Sequence, residues 1–178
     1  MINSDMHDRY CGEWGGLCDS LRRQGVDENT IERVIALIAR DTLTGILNRR
    51  GIEQVFSQQL AIGLRYRRPL AVLLLDLDGF KAVNDREGHP AGDEMLRAFA
   101  DFLRRAVRGS DVCGRWGGDE FLVVLPETGS EGALNLLDRL RKTAPLPFSA
   151  GCACFPGDGE DLVAAADVRL REDKARSR

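Results

Sequence analysis

At 178 residues and 43% hydrophobic content, the chain can bury one full core and leaves no room for a second enzyme domain. A net charge of −3 with 30% charged residues describes an ordinary soluble surface, which argues against a nucleic-acid polymer or a polybasic membrane contact as partner. No apolar run approaches the roughly 18 residues that span a bilayer, and the N-terminus lacks the basic and then apolar order of a signal peptide. A cytoplasmic protein with no membrane span is expected. Five cysteines, an odd number, fit a reducing compartment better than a disulfide framework.

Residues 1–26 mix Gly, Cys, Trp14 and charges without a persistent period and read as an irregular N-terminal arm or a weak helix. Cys11 and Cys18, with His7 nearby, admit a metal or redox role, but their spacing matches no common zinc pattern. Asp27 is an N-cap candidate, and Ile31, Val34, Ile35 and Ile38 recur at helical spacing, predicting a linker helix over residues 27–40. Its apolar stripe either packs back on the domain, the preferred reading, or forms a short coiled-coil stub that pairs two chains. Ile52, Val55, Phe56, Leu60 and Leu64 predict a second amphipathic helix ending before Arg68-Pro69.

Leu70 to Leu75 then reads as a buried central strand that ends in Asp76-Leu77-Asp78-Gly79. Asn84-Asp85 suits a turn, Asp93 opens a helix carrying Leu96, Phe99, Ala100, Leu103 and Val107, and Gly109 stops it. Cys113–Arg115 and Phe121–Leu125 are predicted hairpin arms, joined by Trp116-Gly117-Gly118-Asp119-Glu120, whose glycines tolerate the positive φ of a tight turn. Ala133–Leu140 reads as helix, Phe148–Phe155 as strand and Leu162–Lys174 as the last helix. Cys113, Cys152 and Cys154 are most simply small buried hydrophobes, the last two sharing a strand face. This order predicts an α/β (α+β) sandwich in which helices cover a mixed, mostly antiparallel central sheet.

The chemistry lies at two strand ends. Asp76, Asp119 and Glu120 each sit beside a strong apolar strand signal, and three carboxylates so placed suit Mg²⁺, which shares oxygen ligands between protein and substrate phosphates. Phosphoryl or nucleotidyl transfer is the implied reaction class. Any one of these acids alone is more simply a solvated turn residue. Their joint occurrence favours the site.

Several motifs in order resemble the GGDEF family of diguanylate cyclases. They are Asp41-Thr42-Leu43-Thr44-Gly45 through Arg50, Asp76-Leu77-Asp78-Gly79-Phe80-Lys81, Asn84 through Gly88-His89 to Gly92-Asp93, the Arg115–Phe121 stretch, Ser149-Ala150-Gly151, and Ala166-Asp167 with Lys174. The resemblance covers residues 41–178 and implies a catalytic domain there, with the family fold. It implies a cyclase that condenses two GTP into cyclic di-GMP with release of pyrophosphate, in a homodimer of facing sites, since one site holds one GTP. Asp76, the Leu77 carbonyl, Asp119 and Glu120 would hold two Mg²⁺ per active site, with Mn²⁺ as a substitute. Asp119 would take the proton from the attacking 3′-hydroxyl, and Lys81 would neutralise phosphate charge. Phe80, His89, Asn84 and Asp93 would form the base pocket. A carboxylate accepts from guanine N1 and N2, a donor pair that adenine lacks. Lys174 and Arg178 would reach the phosphates. Arg108 and Asp111 match the family's R-x-x-D inhibitory site, with Arg139 as a second arginine. The plainer reading of Arg108-Gly109 and Asp111 is a helix end and its turn.

This sequence departs from the family in places. Gly79 stands where a bulky residue is common, Val168 and Arg171 replace a lysine and a tyrosine, and little chain separates Leu140 from Ser149. An inactive GGDEF receptor for cyclic di-GMP or GTP, or a cyclase with relaxed base choice, is the alternative, although every expected acid is present.

Overall fold

The computed structural model describes residues 14–176. Among the described residues seven helices and four strands follow one another as α1 (Gly15–Arg23), α2 (Glu28–Ile38), α3 (Arg49–Tyr66), β1 (Leu70–Leu77), α4 (Phe80–Glu87), α5 (His89–Ala106), β2 (Val112–Gly117), β3 (Glu120–Pro126), α6 (Ser130–Thr143), β4 (Phe148–Phe155) and α7 (Leu162–Arg176). The sheet order is β2-β3-β1-β4 and every pairing of named strands is antiparallel. The mixed character expected of the sheet reduces to one isolated parallel bridge, Leu47 with Gly114.

All eight residues of β1 are buried because helices cover both faces of the sheet. On one face Leu73, Leu75, Phe121 and Val123 pack against α5 and α6. Phe99 of α5 lies there with its ring 5.0 Å from Phe121 and 5.4 Å from Phe148. Burying a ring of that size stabilises the fold by about 1.5–3 kcal/mol. On the other face Val72, Leu74, Leu122 and Val124 meet Ile31 and Ile35 of α2, Ile52 and Val55 of α3, and Leu162, Ala166 and Leu170 of α7. The apolar stripe of the linker helix thus packs back on the domain. Asp27 caps that helix by accepting from the Thr30 N–H.

Of the two readings of the N-terminal arm, residues 15–23 take the helical one, because Trp14 and Cys18 reach the second apolar cluster and tertiary packing overrides a weak local pattern. Three expectations change. Helix α4 has no counterpart among the expected elements: none of its residues is buried, so it carries no apolar period to read. Helix α5 starts at His89, with Pro90 in its first turn, which puts Asp93 beyond the helix mouth. It stops at Ala106, where Val107 turns extended, ahead of Gly109.

Strand β4 is an edge, and side chains occupy its outward groups. The Ala150 N–H donates to Asp173, the Cys152 carbonyl accepts from Arg169, and the Cys154 N–H donates to Asp158. Asp158 in turn pairs with Arg169. These contacts blunt an edge that would otherwise invite another strand. Behind β4, helix α7 approaches so closely that a Cβ on Gly151 would lie 1.8 Å from the Ala166 carbonyl oxygen. Cys152 and Cys154 do share a face, sulfur to sulfur 3.9 Å. Burial pushes the Cys113 thiol up to about 11 and Cys152 up to about 12, which makes them unreactive packing groups at neutral pH. Cys11 and His7 lie outside the described residues.

Candidate active site

Antiparallel register places the acids. Asp76 of β1 stands opposite Glu120 of β3 and opposite Ser149 of β4. Asp119 occupies the turn before β3, and its carbonyl accepts from the Leu77 N–H at 3.2 Å. The turn itself is Gly118-Asp119, one residue later than the glycine pair suggests, since Gly117 still belongs to β2. Gly118 takes φ +49°, the left-handed region where glycine is unstrained. A register shift between Arg115 and Gly117 sets Trp116 out of line, under the Arg49 guanidinium at 4.5 Å.

Sequence reasoning missed what fastens this hairpin. Arg115 donates from Nε to the Gly118 carbonyl and from Nη1 to Asp41 at 3.3 Å, and its backbone N–H bonds the Leu47 carbonyl at 2.7 Å. Asp41 also accepts from the N–H and hydroxyl of Thr44. Both residues belong to the motifs given above, but nothing local in the sequence says that they pair across 74 positions.

A cavity of about 640 Å³ opens beside these strand ends, lined among others by Asp76, Leu77, Asp78, Asp119, Phe80, Lys81 and Lys174. Asp76 is only 7% exposed, and Lys174 of α7 places its Nζ 2.6 Å from the Asp76 Oδ2. Burial raises the Asp76 pKa, Lys174 opposes that shift, and the nearby Asp119 and Asp78 charges reinforce it. Burial likewise raises Glu120, with the Asp76 charge next in weight. Glu120 itself lines a neighbouring cavity with Glu53, Trp116 and Asp167. Asp78 is held away from solvent freedom by the Ser149 hydroxyl, which donates to it at 2.8 Å. Gly79 takes φ +75° as the residue entering α4, a conformation that glycine adopts without steric strain.

Of the base-pocket candidates, Phe80 lines the Asp76 cavity, whereas Asn84 on α4 and His89 and Asp93 on the first turns of α5 are not among its lining residues. Asn84 packs against Gly92, where a Cβ would fall 2.1 Å from its Oδ1, and that buried oxygen has no hydrogen-bond partner. Arg108, Asp111 and Arg139 do come together, around a cavity of about 110 Å³ with Thr128 and Asn135. There Asp111 accepts from the Arg108 N–H, and Arg139 donates to the Ala106 carbonyl. Arg178 lies outside the described residues.

Among the described residues no three His, Cys, Asp or Glu side chains converge to hold a metal unaided. The donors still fit a hard divalent cation that completes its shell with water and phosphate: carboxylates of Asp76 and Asp119 and the backbone oxygen of Leu77. The ammonium of Lys174 on Asp76 already marks a point where the fold stabilises positive charge.

Residues 38–178 match the family model described as diguanylate cyclase, GGDEF domain. The chain is 35% identical over 177 aligned residues to the diguanylate cyclase DosC of Escherichia coli strain K12, covering 84% of this chain and 38% of that protein. It thus spans about two fifths of that relative's length. Diguanylate cyclase SiaD from Pseudomonas aeruginosa, solved in complex with its activator SiaC, superposes with a TM-score of 0.73 at 29% identity, over 97% of this chain and 73% of that one. A microbial GGDEF domain solved with bis-(3′,5′)-cyclic di-GMP gives 0.69 at 34% identity, over 80% and 94%. With a family match over most of its length, this chain belongs to the GGDEF-domain family of diguanylate cyclases.

Proposed function

We propose that the protein is a diguanylate cyclase acting in the cytoplasm, with residues 41–178 as its catalytic unit and 27–40 as a linker helix that follows the N-terminal arm. The observation that carries this reading is the pairing of Asp76 with the Asp119 turn at adjacent strand ends, under a lysine, in one open cavity. Two GTP molecules, one on each of two facing chains, react in two equivalent steps. In each, the 3′-oxygen of one GTP forms a bond to the α-phosphorus of the other, the bond to pyrophosphate breaks, and the hydroxyl proton leaves to a base. Asp119 is assigned as that base. Two Mg²⁺ ions, held by Asp76, the Leu77 carbonyl, Asp119 and Glu120, would supply charge neutralisation for the triphosphate when bound.

The remaining roles belong to this chain's own groups. Lys81, exposed on the cavity wall, meets phosphate oxygens as charge builds on them. Lys174 does the same from α7. Asn84 pairs through its amide with the O6 or N3 side of the base, and Asp93 accepts from guanine N1 and N2, which selects guanine over adenine. Arg108, Asp111 and Arg139 bind product and restrain the encounter of two active sites. The relative solved with cyclic di-GMP supports a product-binding surface.

Incubation of purified protein with Mg²⁺ and either GTP or ATP tests the assignment by chromatography of the products. A cyclic dinucleotide from GTP alone, absent in Asp119→Ala, is expected. Tight cyclic di-GMP binding without any turnover would instead identify a receptor.

A further inference from the structure

Lys174 is positioned with more care than a phosphate-binding lysine at the end of a helix requires. Its neighbour Asp173 accepts from the Ala150 N–H at 2.8 Å and from Arg141 at 2.6 Å, which ties the last turns of α7 to β4 and α6. One turn earlier, the close approach of Ala166 and Leu170 to Gly151 fixes the helix laterally. Ala150 follows Ser149, the β4 partner of Asp76. The anchor and the contact it serves are therefore neighbours across the sheet. At 2.6 Å the ammonium touches the carboxylate directly, and Asp76 is almost fully enclosed while Lys174 keeps about a third of its side chain exposed.

An ion pair of this kind has a consequence for any second cation. A carboxylate shielded from water is costly to ionise alone and is compensated here by one ammonium. A divalent ion coming to Asp76 must displace that ammonium or share the carboxylate with it at close range, where like charges repel. Displacement by the bare ion leaves Lys174 without a direct partner, because Asp119 in the same cavity is itself assigned to the ion and Asp78 is already hydrogen-bonded by Ser149. A triphosphate changes the balance, because its oxygens give the displaced ammonium a new anionic partner.

We propose that Lys174 is a resident counter-cation on Asp76 that makes divalent-ion and triphosphate binding mutually dependent: each strengthens the other because only together do they re-pair both the carboxylate and the ammonium. The proposal rests on the assignment of Asp76 as a metal ligand. By linkage, whatever factor nucleotide adds to ion affinity, the ion adds to nucleotide affinity. Asp173 acts as a positioning residue, since loosening α7 frees Lys174 from Asp76 without altering either charge.

Mn²⁺ serves as the probe, its free concentration read by electron paramagnetic resonance with and without a non-hydrolysable GTP analogue. Wild type is expected to bind bare Mn²⁺ weakly and to gain affinity when the analogue is added. Lys174→Met should bind bare Mn²⁺ about tenfold more tightly than wild type and lose most of that gain. Lys174→Arg should keep the wild-type pattern. Asp173→Asn should move part of the way toward Lys174→Met while retaining its thermal unfolding transition. Lys174→Gln repeats the measurement should the Met variant fail to fold. The proposal is overturned if the uncharged variants bind bare Mn²⁺ no better than wild type yet still bind it with nucleotide. If neither wild type nor any variant binds Mn²⁺ even with the analogue, the metal-ligand assignment itself is wrong and the proposal goes with it.

Discussion

Gly151→Ala isolates the element on which the site depends. The added Cβ would stand 1.8 Å from the Ala166 oxygen and 2.7 Å from the Leu170 nitrogen, and both obstacles are helix backbone. Rotamer change cannot relieve such a clash, so α7 must withdraw by more than an ångström, loosening Leu162, Ala166 and Leu170 from the sheet. Overpacking of a core typically costs about 1–3 kcal/mol, and an obstacle made of backbone belongs at the upper end, about 3 kcal/mol. For a domain of this size each kcal/mol lowers Tm by about 2–4 °C, so a drop of roughly 6–12 °C is expected. The Lys174 to Asp76 contact, 2.6 Å long and one turn further along α7, would open as well. Thermal unfolding followed by circular dichroism measures the first effect and cyclic dinucleotide formation the second. A variant that melts within about 1 °C of wild type would show that β4 and α7 are not in the contact described, and the reasoning would fail at its first step.

Other substitutions probe single terms. Glu120→Gln should raise the Tm of the metal-free protein at neutral pH: the folded-state pKa of Glu120 lies above its ordinary 4.5, so ionised Glu120 is a penalty that is complete above the folded value and absent below 4.5. The gain should therefore shrink as pH falls through that window, and a pH-independent difference would refute the electrostatic cause. Asp158 runs the other way, because Arg169 holds its carboxyl below the ordinary 3.8; its stabilisation is present above 3.8 and is lost as acid takes pH through the lower value. Asp158→Asn should accordingly lower Tm at neutral pH and narrow its gap to wild type in strong acid, as read from melts across a pH series. Asp27→Ala removes the cap on the Thr30 N–H and should cost about 1 kcal/mol in denaturant titrations. Gly16→Ala, inside α1 with open space around the new Cβ, should add about 0.4–1 kcal/mol, and a loss there would show that α1 is not helical in solution.

The sequence carried the sheet well because its strands are either buried on both faces, as Leu70 to Leu77 are, or bounded by glycine turns, as the Arg115–Phe121 hairpin is. Both leave patterns in apolar order that a reader can follow. Helix α4 left none, since it buries no residue and is held by its packing on α5. The start of α5 was misplaced for a related reason: Asp93 suits a helix N-terminus by charge, but Pro90 and the Gly88 conformation began the helix a turn earlier. At the site, motif order found Asp76, Asp119 and Lys174, while the anchors were invisible. The bond from the Ala150 N–H to Asp173 and the pairing of Arg115 with Asp41 join residues 23 and 74 positions apart, and neither leaves a local signal.

The site's charges are held in two unlike ways. Asp76 and Glu120 are fixed by strand register, and a slip of one residue would turn every core side chain of β1 or β3 to the wrong face. Their positions are therefore as stable as the core. Lys81 lies in the first turns of an exposed helix, where few packed neighbours constrain a long flexible side chain, whereas the α7 backbone that carries Lys174 is tied down by Asp173 and only the partly exposed side chain is free to swing. On the proposed function, fixed acids and swinging lysine side chains would divide the work of binding between them. Adjustment to a triphosphate should then appear in the lysine side chains and in the exposed helix α4. A bound structure in which β1 and β3 had shifted against each other, with Lys81 and Lys174 unmoved, would contradict that division.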